Sequence, residues 1–600
     1  MTRPTDELRV TSDGCSASSV RATSASAWSL SSIRAATVRE RFQCAWTRRE
    51  ERSAQRTLRG ILFACFSLSA PVLAETPSAG DDVVLRAMVD ELQRSMLHLE
   101  MEDLPKPYFI QLRARDRRVN SISAAYGGLQ RSDERRVRDF ISRARVGDLS
   151  LDNTNFARGS GRSSVLPLDD DYQALRHAMW LTLDDDYKQS VETLTAKVAY
   201  LKDTHVEDRP DDFSPAPPVQ ATEPRPTIAF DRPAWEQRIR DLSARFEKFP
   251  KIQDADVSLI AGTETEWLVN SEGSRIRGSD TGIWIRINAE IQAEDGMRLS
   301  DSRTYLGETP EQLPPAEKMF AAVDELCTQL IALASAPTLE QYSGPVLLEP
   351  EAAATAFESL LGDRLAARAT PIGSGGRDDS FEKKLGLRVL PRSFRIYDDP
   401  RTKMLGDTVL AGSYRFDEEG TPPQRVDLVE KGVLKALVSG RGPTRKVKTT
   451  NGHARAQGYT DARATIGCLY IADDNGLSPE DLRKELRDAA REEGLEFALR
   501  ISAVEDGGGG AIGDPVYAYK VHAETGAETL VRGLKFQPVE PKTLKRILAG
   551  GAQTAVHNSL SGIATSVIAP AVLFEELELS KTQQEFDKPP ILPSPATRSH

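Results

Sequence analysis

Histidine and cysteine are both scarce in this chain of 600 residues, which contains 7 His and 5 Cys. No histidine occurs between His205 and His453, so a histidine-ligated metal centre would need donors that lie far apart in sequence. Beyond residue 65 the only cysteines are Cys327 and Cys468, and two such distant residues exclude a disulfide framework. We predict two buried free thiols, with a single bridge between them as the alternative in an oxidising compartment.

The chain also lacks a long apolar run, since about 20 consecutive apolar residues are needed to span a membrane as a helix. The longest run, Ile61 to Leu73, is shorter and includes polar residues. Two arginines precede it and Val72-Leu73-Ala74 follows, which is the pattern of a Sec signal peptide over residues 56–74. We therefore predict export to the periplasm or the medium, with Glu75 as the mature N-terminus and no stable membrane anchor.

Residues 1–55 are rich in Ser, Ala and Arg and show no apolar periodicity. We interpret them as a non-structural leader or an over-extended start, and exclude them from the fold.

Clustered positive charge is missing as well. Residues 75–600 carry 67 basic and 83 acidic side chains, a net charge of about −16. Nucleic-acid phosphates are bound by clustered Lys and Arg, and the single short basic run, Arg441 to Lys448, is interpreted as a solvated loop. The composition therefore predicts no nucleic-acid partner.

The N-terminal half shows mixed helical and strand periodicity. We predict a helix at 81–99, strands at 108–113, 121–126 and 137–146, and two helices that each begin at a Leu-Asp-Asp-Asp-Tyr sequence, 168–172 and 183–187. Contiguous acids at a helix start complement its dipole, whereas a hard-cation loop needs alternating acids and a glycine turn. We therefore prefer helix starts to a cation site.

The C-terminal half is mostly strand, including a predicted strand at 407–416, and contains a helix capped by Ser478 and opened by Pro479. The fold class is α+β, with N-terminal α+β regions followed by a mostly antiparallel β C-terminal domain. The predicted divisions are 75–206 (α+β), 207–234 (a Pro- and acid-rich linker), 235–340 (α+β), 341–580 (β-rich) and 581–600 (a disordered tail).

The segment Tyr342 to Asp363 combines a buried strand ending in Leu347-Leu348 with a helix that leads into Gly-Asp. It resembles the central segment of the TldD/PmbA proteins, and the resemblance covers nearly all of the chain after about residue 80. Other matching pieces, in order, are Asn270–Gly273, Gly412–Gly420, Val429–Leu434, Gly452-His453, Glu505–Gly510, Val531–Leu534 and Ser566–Leu577. The resemblance implies a two-domain α+β layout.

In the family's peptidase branch this helix carries His-Glu-x-x-x-His. Alignment on Leu347-Leu348 places Glu349, Pro350 and Ala354 at the motif's His, Glu and His, and alignment on the acid Glu351 places Pro350 and Thr355 at the two histidines. Neither register offers an imidazole, so we predict the branch that lacks the zinc motif, with no metal and no cofactor.

Four side chains remain weak catalytic candidates. Glu349 and Glu351 are vestigial bases or first-turn acids of the helix, and Cys468 is a nucleophile only if a histidine lies within hydrogen-bond reach. His453 follows Asn451-Gly452 in a loop that the resemblance puts near the substrate cleft, with an ordinary solvent-facing loop histidine as the alternative.

The glycine run Gly507, Gly508, Gly509 and Gly510 is not a phosphate-binding loop, because no Gly-Lys-Ser/Thr follows and the next element is a strand. We interpret it as a flexible connection that forms the rim of the cleft together with His453.

The leading hypothesis is an exported, zinc-less TldD/PmbA-like protein that binds peptide or unfolded polypeptide and acts in proteolysis with a zinc-bearing TldD-like subunit, or as a homodimer. The second is an active peptidase that uses carboxylate metal ligands or a Cys nucleophile. The third is a non-catalytic structural or scaffolding protein.

Overall fold

Two large β-sheets with helices against them organise this protein. The computed structural model describes residues 82–159, 161–204, 206, 208–375, 380–507, 511–582, 589–590, 592 and 594–595. The predicted leader and signal peptide, residues Gly508 to Gly510 and most of the predicted tail lie outside the described residues. Among the described helices none is long and apolar enough to cross a membrane.

The described part contains six α-helices of seven residues or more: α1 Val83–His98, α2 Tyr172–Asp203, α3 Arg232–Ala244, α4 Ala316–Ala334, α5 Pro350–Leu361 and α6 Pro479–Glu492. The strands before residue 340 are β1 Pro107–Ala125, β2 Gly128–Val146, β3 Arg162–Val165, β4 Gln220–Thr222, β5 Asp254–Asn270, β6 Arg275–Gln292 and β7 Arg298–Gly307. Those after residue 340 are β8 Gln341–Leu348, β9 Phe394–Asp398, β10 Met404–Leu405, β11 Thr408–Val409, β12 Val426–Glu430, β13 Val433–Leu434, β14 Ala454–Arg455, β15 Arg463–Ala464, β16 Cys468–Asp473, β17 Phe497–Val504, β18 Pro515–His522, β19 Glu528–Val531, β20 Leu534–Phe536, β21 Ile547–Ser559 and β22 Thr565–Lys581.

The N-terminal sheet has the order β3-β2-β1-β5-β6-β4, with β7 also paired to β6. Its central pair joins β1 to β5, so regions 75–206 and 235–340 contribute to one sheet. Within the proline-rich segment 207–234, β4 pairs in parallel with β6 and Phe213 is buried.

One long strand replaces two predicted ones in this sheet. The strands predicted at 108–113 and 121–126 are both parts of β1, which continues through the polar residues between them. The prediction was wrong because continuous ladders to β2 and β5 satisfy the backbone there, whatever the polarity of the side chains.

Even-numbered side chains of β1 face the helices, because successive residues of a strand point to opposite faces. Ile110, Leu112 and Ala114 pack under α1 and α2. Ile122 and Ala124 pack with α3 and α4 in a second core. Two helix pairs therefore cover the two ends of the same sheet face.

The second Leu-Asp-Asp-Asp-Tyr sequence does not start a helix. Asp171, from the first one, caps α2 by accepting a hydrogen bond from the Ala174 amide, but α2 then runs unbroken through residues 183–187. The prediction of a second helix start was wrong, since Asp186 turns inward and accepts hydrogen bonds from the Ala144 amide (2.7 Å) and the Ser142 hydroxyl (2.9 Å) of β2.

The C-terminal sheet has eleven strands in the order β13-β12-β9-β16-β22-β8-β17-β18-β19, with β20 and β21 also paired to β22. Its pairs are antiparallel except for β16 with β22 and β8 with β17. The α+β class with a mostly antiparallel C-terminal half is therefore confirmed. The capped start of α6 is also confirmed, because the Ser478 hydroxyl accepts from the Asp481 amide.

The strand predicted at 407–416 is reduced to the two residues of β11. Backbone groups there bond to side chains instead of a neighbouring strand. The Asn558 amide group accepts from the Ala411 amide (3.0 Å) and donates to the Val409 carbonyl (2.8 Å), and the Ser566 hydroxyl accepts from Gly412 (2.9 Å). The segment is therefore a loop in which these backbone groups have hydrogen-bond partners.

Candidate functional site

The helix that aligns with the family's zinc motif is α5, and it is almost wholly buried. Strand β8 delivers the chain to Glu349 at the N-cap, and Pro350 opens the helix. Glu349 is held from outside α5, with its carboxylate 2.9 Å from Nη1 of Arg500 and 3.6 Å from Nη2 of Arg483. Ala354 is fully buried, and the Thr355 hydroxyl donates to the Glu351 carbonyl of its own helix (3.1 Å).

These residues do not fit a zinc ion. Both alignments put proline, alanine or threonine at motif positions, and none of these supplies an imidazole, thiolate or carboxylate donor. Glu349 and Glu351 are the exceptions, but they are single carboxylates in alternative alignments, and an arginine pair already binds that of Glu349. Across the described ranges no group of three or more His, Cys, Asp or Glu side chains is arranged to hold a metal.

A histidine that the sequence analysis missed lies against α5. Nε2 of His557, on β21, is 3.3 Å from a Glu358 carboxylate oxygen and 3.5 Å from one of Asp506. Burial lowers the pKa of His557, but Glu358, with Asp506 and Glu351 behind it, outweighs that effect, so the pKa is raised overall. The pairing of β21 with β22 brings His557 to α5 across some 200 residues, and no local sequence signal identifies that contact.

The glycine run begins at the same helix. A β-carbon on Gly507 would lie 2.4 Å from the Ser359 hydroxyl and 2.2 Å from the Ala511 carbonyl, so a larger residue would not fit there. Gly507 is thus next to α5, while the rim prediction for Gly508 to Gly510 concerns residues outside the described ranges.

His453 is not at a rim. Its side chain is fully buried, with Nδ1 3.0 Å from the Asn451 carbonyl and Nε2 3.1 Å from the Asp398 carboxylate. Asp398 in turn accepts from the Gly467 amide (3.0 Å). The loop interpretation therefore has to be corrected, because His453 ties together three segments of the domain interior and does not line the large cavity described below.

Cys468 and Cys327 are both free and buried, as predicted. Burial, with the nearby Asp398 charge, raises the pKa of the Cys468 thiol well above its usual range. Its sulfur contacts the Thr402 carbonyl at 3.8 Å. A nucleophile needs an accessible thiolate, and neither condition holds for Cys468.

A cavity of about 520 Å³ lies between the odd-numbered face of the N-terminal sheet and the C-terminal domain. We call it the interdomain cavity. Six arginines line it: Arg113, Arg143, Arg145, Arg368, Arg441 and Arg463. Five acids line it too: Asp212, Asp363, Glu418, Glu419 and Asp461. Its walls therefore carry charges of both signs in near balance.

The arginines of β1 and β2 connect the two halves of the molecule. Arg113 forms a buried ion pair with Glu418, and Gln111 donates to the Glu418 carbonyl (2.9 Å). Arg143 donates to the Tyr459 and Thr460 carbonyls at 2.8 and 3.1 Å. Arginine recurring at every second position of a strand was the available signal, and the sequence analysis did not use it.

Aromatic rings form the apolar part of the wall. Phe109 and Phe213 pack at 4.9 Å between centroids, and the Arg441 guanidinium lies 4.0 Å from the Phe213 ring. Arg441 is fully buried and also donates to the Ser214 carbonyl (2.9 Å). The prediction of a solvated basic loop was therefore wrong for Arg441, whereas Arg445 is exposed as expected.

Buried charge is concentrated behind this wall. Lys197 and Asp212 form a fully buried pair at 2.5 Å, in which burial lowers the pKa of the lysine and raises that of the acid. Burial also raises the pKa of Glu419, and Arg441 offsets part of that increase. The cavity can thus present a carboxyl of reduced acidity beside fixed guanidinium groups, which suits recognition of amides and carboxylates.

The chain is similar in sequence to known proteins. Residues 341–581 match the family described as the PmbA/TldA metallopeptidase C-terminal domain. A metalloprotease of Methanothermobacter thermautotrophicus is 28% identical over 189 residues, which are 31% of this chain and 38% of that protein. One of Archaeoglobus fulgidus is 31% identical over 105 residues, 18% of this chain and 23% of that protein. The match thus spans well under half of the length of either relative.

Solved structures share the fold. TldE from Thermococcus kodakarensis superposes with a TM-score of 0.54 at 12% identity, covering 82% of this chain and 100% of that one. A putative modulator of a DNA gyrase from Thermotoga maritima gives 0.51 at 16% identity, with coverage of 82% and 100%. These similarities lead to one conclusion: residues 341–581 form a C-terminal domain of the TldD/PmbA family, and the chain shares the fold of the solved structures.

Proposed function

We propose that this chain is an exported, zinc-less TldD/PmbA protein that binds peptide or unfolded polypeptide in the interdomain cavity and takes part in proteolysis through a metal-bearing partner. The observation that carries the proposal is the composition of that cavity. It combines six arginines, five acids and an aromatic wall in about 520 Å³, which lies within the roughly 300–1,000 Å³ usual for ligand sites.

A polypeptide matches such a wall because every peptide unit offers one donor and one acceptor, and the chain ends add one charge of each sign. The wall has the same mixed character. Phe109 and Phe213 supply apolar contact for side chains, while the fixed guanidinium groups of β1 and β2 suit carbonyl and carboxylate oxygens. A nucleic acid would instead require a surplus of positive charge.

The side chains of α5 and Cys468 support the proposal that this chain does not hydrolyse peptides by itself. Helix α5 offers no imidazole, and the Glu349 carboxylate is neutralised by Arg500. The thiol of Cys468 is buried and protonated. Hydrolysis would then require a second subunit that carries the metal, such as a zinc-bearing family member, whereas a homodimer of this chain would bind peptide without cleaving it.

Binding is tested with fluorescent unstructured peptides and two cavity variants. Thr370 lines the cavity but is exposed, so Thr370→Trp fills the mouth at little cost to folding. Arg463→Glu reverses an exposed lining charge. Arg388→Glu, an equally exposed arginine elsewhere, is the matched control. We expect anisotropy to show lost binding for Thr370→Trp, weakened binding for Arg463→Glu and unchanged binding for the control. Equal binding by all three would refute the cavity as the site, and no binding by the unaltered chain would favour a scaffolding role.

The metal is tested by elemental analysis of protein purified without chelator, where we expect far less than one zinc per chain. Stoichiometric zinc that is lost in Glu349→Ala or Glu351→Ala would favour the active-peptidase hypothesis instead.

Peptide cleavage should occur only after a family member with His-Glu-x-x-x-His is added. Hydrolysis by the chain alone that is insensitive to chelator and abolished by Cys468→Ala would contradict the proposal and would indicate that Cys468 is the nucleophile.

Export is tested separately by sequencing the N-terminus of protein recovered from the periplasm or medium. The apolar run ending in Val72-Leu73-Ala74 predicts Glu75 or a residue within a few positions of it. Retention of residues 1–55 on a folded cytoplasmic product contradicts both the compartment and the leader interpretation.

A further inference from the structure

A second cavity, of about 450 Å³, lies on the opposite face of the same sheet. It occupies the gap between the two helix pairs, where the helix-facing side chains of β1 change from apolar to polar at Asp116, Arg118 and Asn120 and then back to apolar at Ile122. Thr263 and Thr265 of β5 lie directly across from Arg118 and Asp116 in the ladder. We call it the helix-gap cavity.

A segment of the chain roofs this gap. Residues Arg225 to Arg232 cross above the sheet, and Thr227, Phe230 and Arg232 line the cavity from that side. The guanidinium of Arg232 donates to the side-chain oxygen Oδ1 of Asn120 (2.5 Å), which connects the segment above the cavity to the sheet below it. The gap is therefore a bounded site with walls on both sides.

Several polar groups in this site have no protein partner. Among the described residues, the hydroxyls of Thr227, Thr263 and Thr265 take part in no hydrogen bond, and the side-chain NH₂ of Asn120 donates none. The Nη groups of Arg118 also donate none, since its one ion-pair contact is Nε to Glu134 at 3.3 Å. These donors and hydroxyls remain free for a ligand.

The charge of the site is positive. Four arginines and two acids line it. One of the acids, Asp116, is already bound by Arg136 at 2.7 and 2.9 Å and by Arg138 at 2.7 Å. Hydrogen bonds from both guanidinium groups outweigh burial and lower the pKa of Asp116, so it stays ionised and neutralised. Arg225 is paired with Asp170 at 3.3 Å, so the remaining positive charge lies near Arg118, which shares the single carboxylate of Glu134 with Arg232.

From this arrangement we propose that the helix-gap cavity binds a small polyhydroxylated anion, such as a sugar acid or a sugar phosphate. The anionic group binds the free Nη groups of Arg118, because guanidinium pairs with carboxylate and phosphate in two-point geometry. The ligand hydroxyls bind the Thr263 and Thr265 hydroxyls, which can donate or accept, and the Asn120 NH₂, which donates. Phe230 supplies an apolar surface for the ligand's carbon frame.

Isothermal titration calorimetry of the full chain tests the proposal with named probes. D-glucuronate and glucose 6-phosphate distinguish a carboxylate from a phosphate ligand, and glucose, acetate and inorganic phosphate report the parts alone. We expect at least one of the two sugar anions to bind at least tenfold more tightly than every one of the parts. Saturable binding should persist in Thr370→Trp, which blocks only the interdomain cavity.

Two variants locate the site. Arg118→Gln removes a half-exposed guanidinium, and Thr263→Val removes one hydroxyl at nearly constant volume. We expect the first to weaken sugar-anion binding at least tenfold and the second several-fold, while Arg388→Gln leaves it unchanged. Binding unaffected by Arg118→Gln, parts that bind as tightly as both sugar anions, or no saturable binding to the folded chain would each overturn the proposal.

Discussion

Asp186 offers the sharpest test of the energetics, because burial raises its pKa from 3.8 to about 7. Arg143 and the two hydrogen bonds from Ala144 and Ser142 favour the ionised form but offset only part of that effect. One oxygen of the carboxyl group, Oδ1, has no hydrogen-bond partner among the described residues. The folded protein therefore holds this carboxyl protonated where the unfolded chain ionises it.

The sign of the pH effect follows from linkage. Since the folded pKa lies above the unfolded one, the folded state binds more protons between about pH 4 and 7, and stability falls as the pH rises through that window. A difference of about 3 pKa units corresponds to about 4 kcal/mol at 1.36 kcal/mol per unit. Asp186→Asn keeps a carbonyl acceptor for the two hydrogen bonds and removes the ionisation.

Urea unfolding of both proteins at pH 4.5, 6, 7 and 8.5 measures this effect. We expect the stability of Asp186→Asn relative to the unaltered chain to rise by up to about 4 kcal/mol between the lowest and highest pH. The control is Asp185→Asn, since the Asp185 side chain is 71% exposed one position earlier. If the curves of Asp186→Asn and the unaltered chain run parallel, the carboxyl ionises near its ordinary pKa and the reasoning fails.

Three further predictions concern other buried ionisable side chains, two measured by unfolding and one by chemical labelling. His557→Gln should remove a stabilisation that is complete below about pH 6.5 and lost as the pH rises through the raised folded pKa, so unfolding curves of the two proteins should converge at high pH; divergence there contradicts the contact with Glu358. Lys197→Met should cost about 3–5 kcal/mol in urea, because it removes the ammonium group that the buried Asp212 carboxylate shares with the Asp152 carbonyl and leaves Arg209, 3.2 Å away, as the remaining cation beside Asp212; a loss below 1 kcal/mol would mean the pair is solvated. Iodoacetamide at pH 8 should label Cys468 only in denaturant, as mass spectrometry can show, and rapid native labelling would contradict its burial.

Local sequence signals predicted those elements whose boundaries are set by nearby residues. The Ser478 cap with Pro479 gave the start of α6, and the first Leu-Asp-Asp-Asp-Tyr sequence gave the start of α2. The lack of histidine in α5 is likewise visible in the sequence of that helix alone. These features depend on contacts within a few residues, which hydroxyl caps, proline and glycine report directly.

What the sequence did not predict depends on contacts between distant segments. His557 reaches α5 only through the β21–β22 pairing, and the buried His453 contacts Asp398, which lies 55 residues earlier in the chain. The sequence around Arg441 predicts a surface residue, but in the structure its guanidinium lies over the Phe213 ring. In each case a polar side chain has a partner many residues away, so neither periodicity nor composition can assign its burial.

The position of β1 between the two cavities limits how this protein can change. Gln111 and Arg113 line the interdomain cavity with one face, and Asp116, Arg118 and Asn120 line the helix-gap cavity with the other. Inserting or deleting a single residue within β1 would turn every later side chain to the opposite face, since the side-chain period of a strand is two. Substitutions can therefore alter either cavity independently, but the length of β1 is fixed, and natural variation in length should be confined to the turns and loops at its ends.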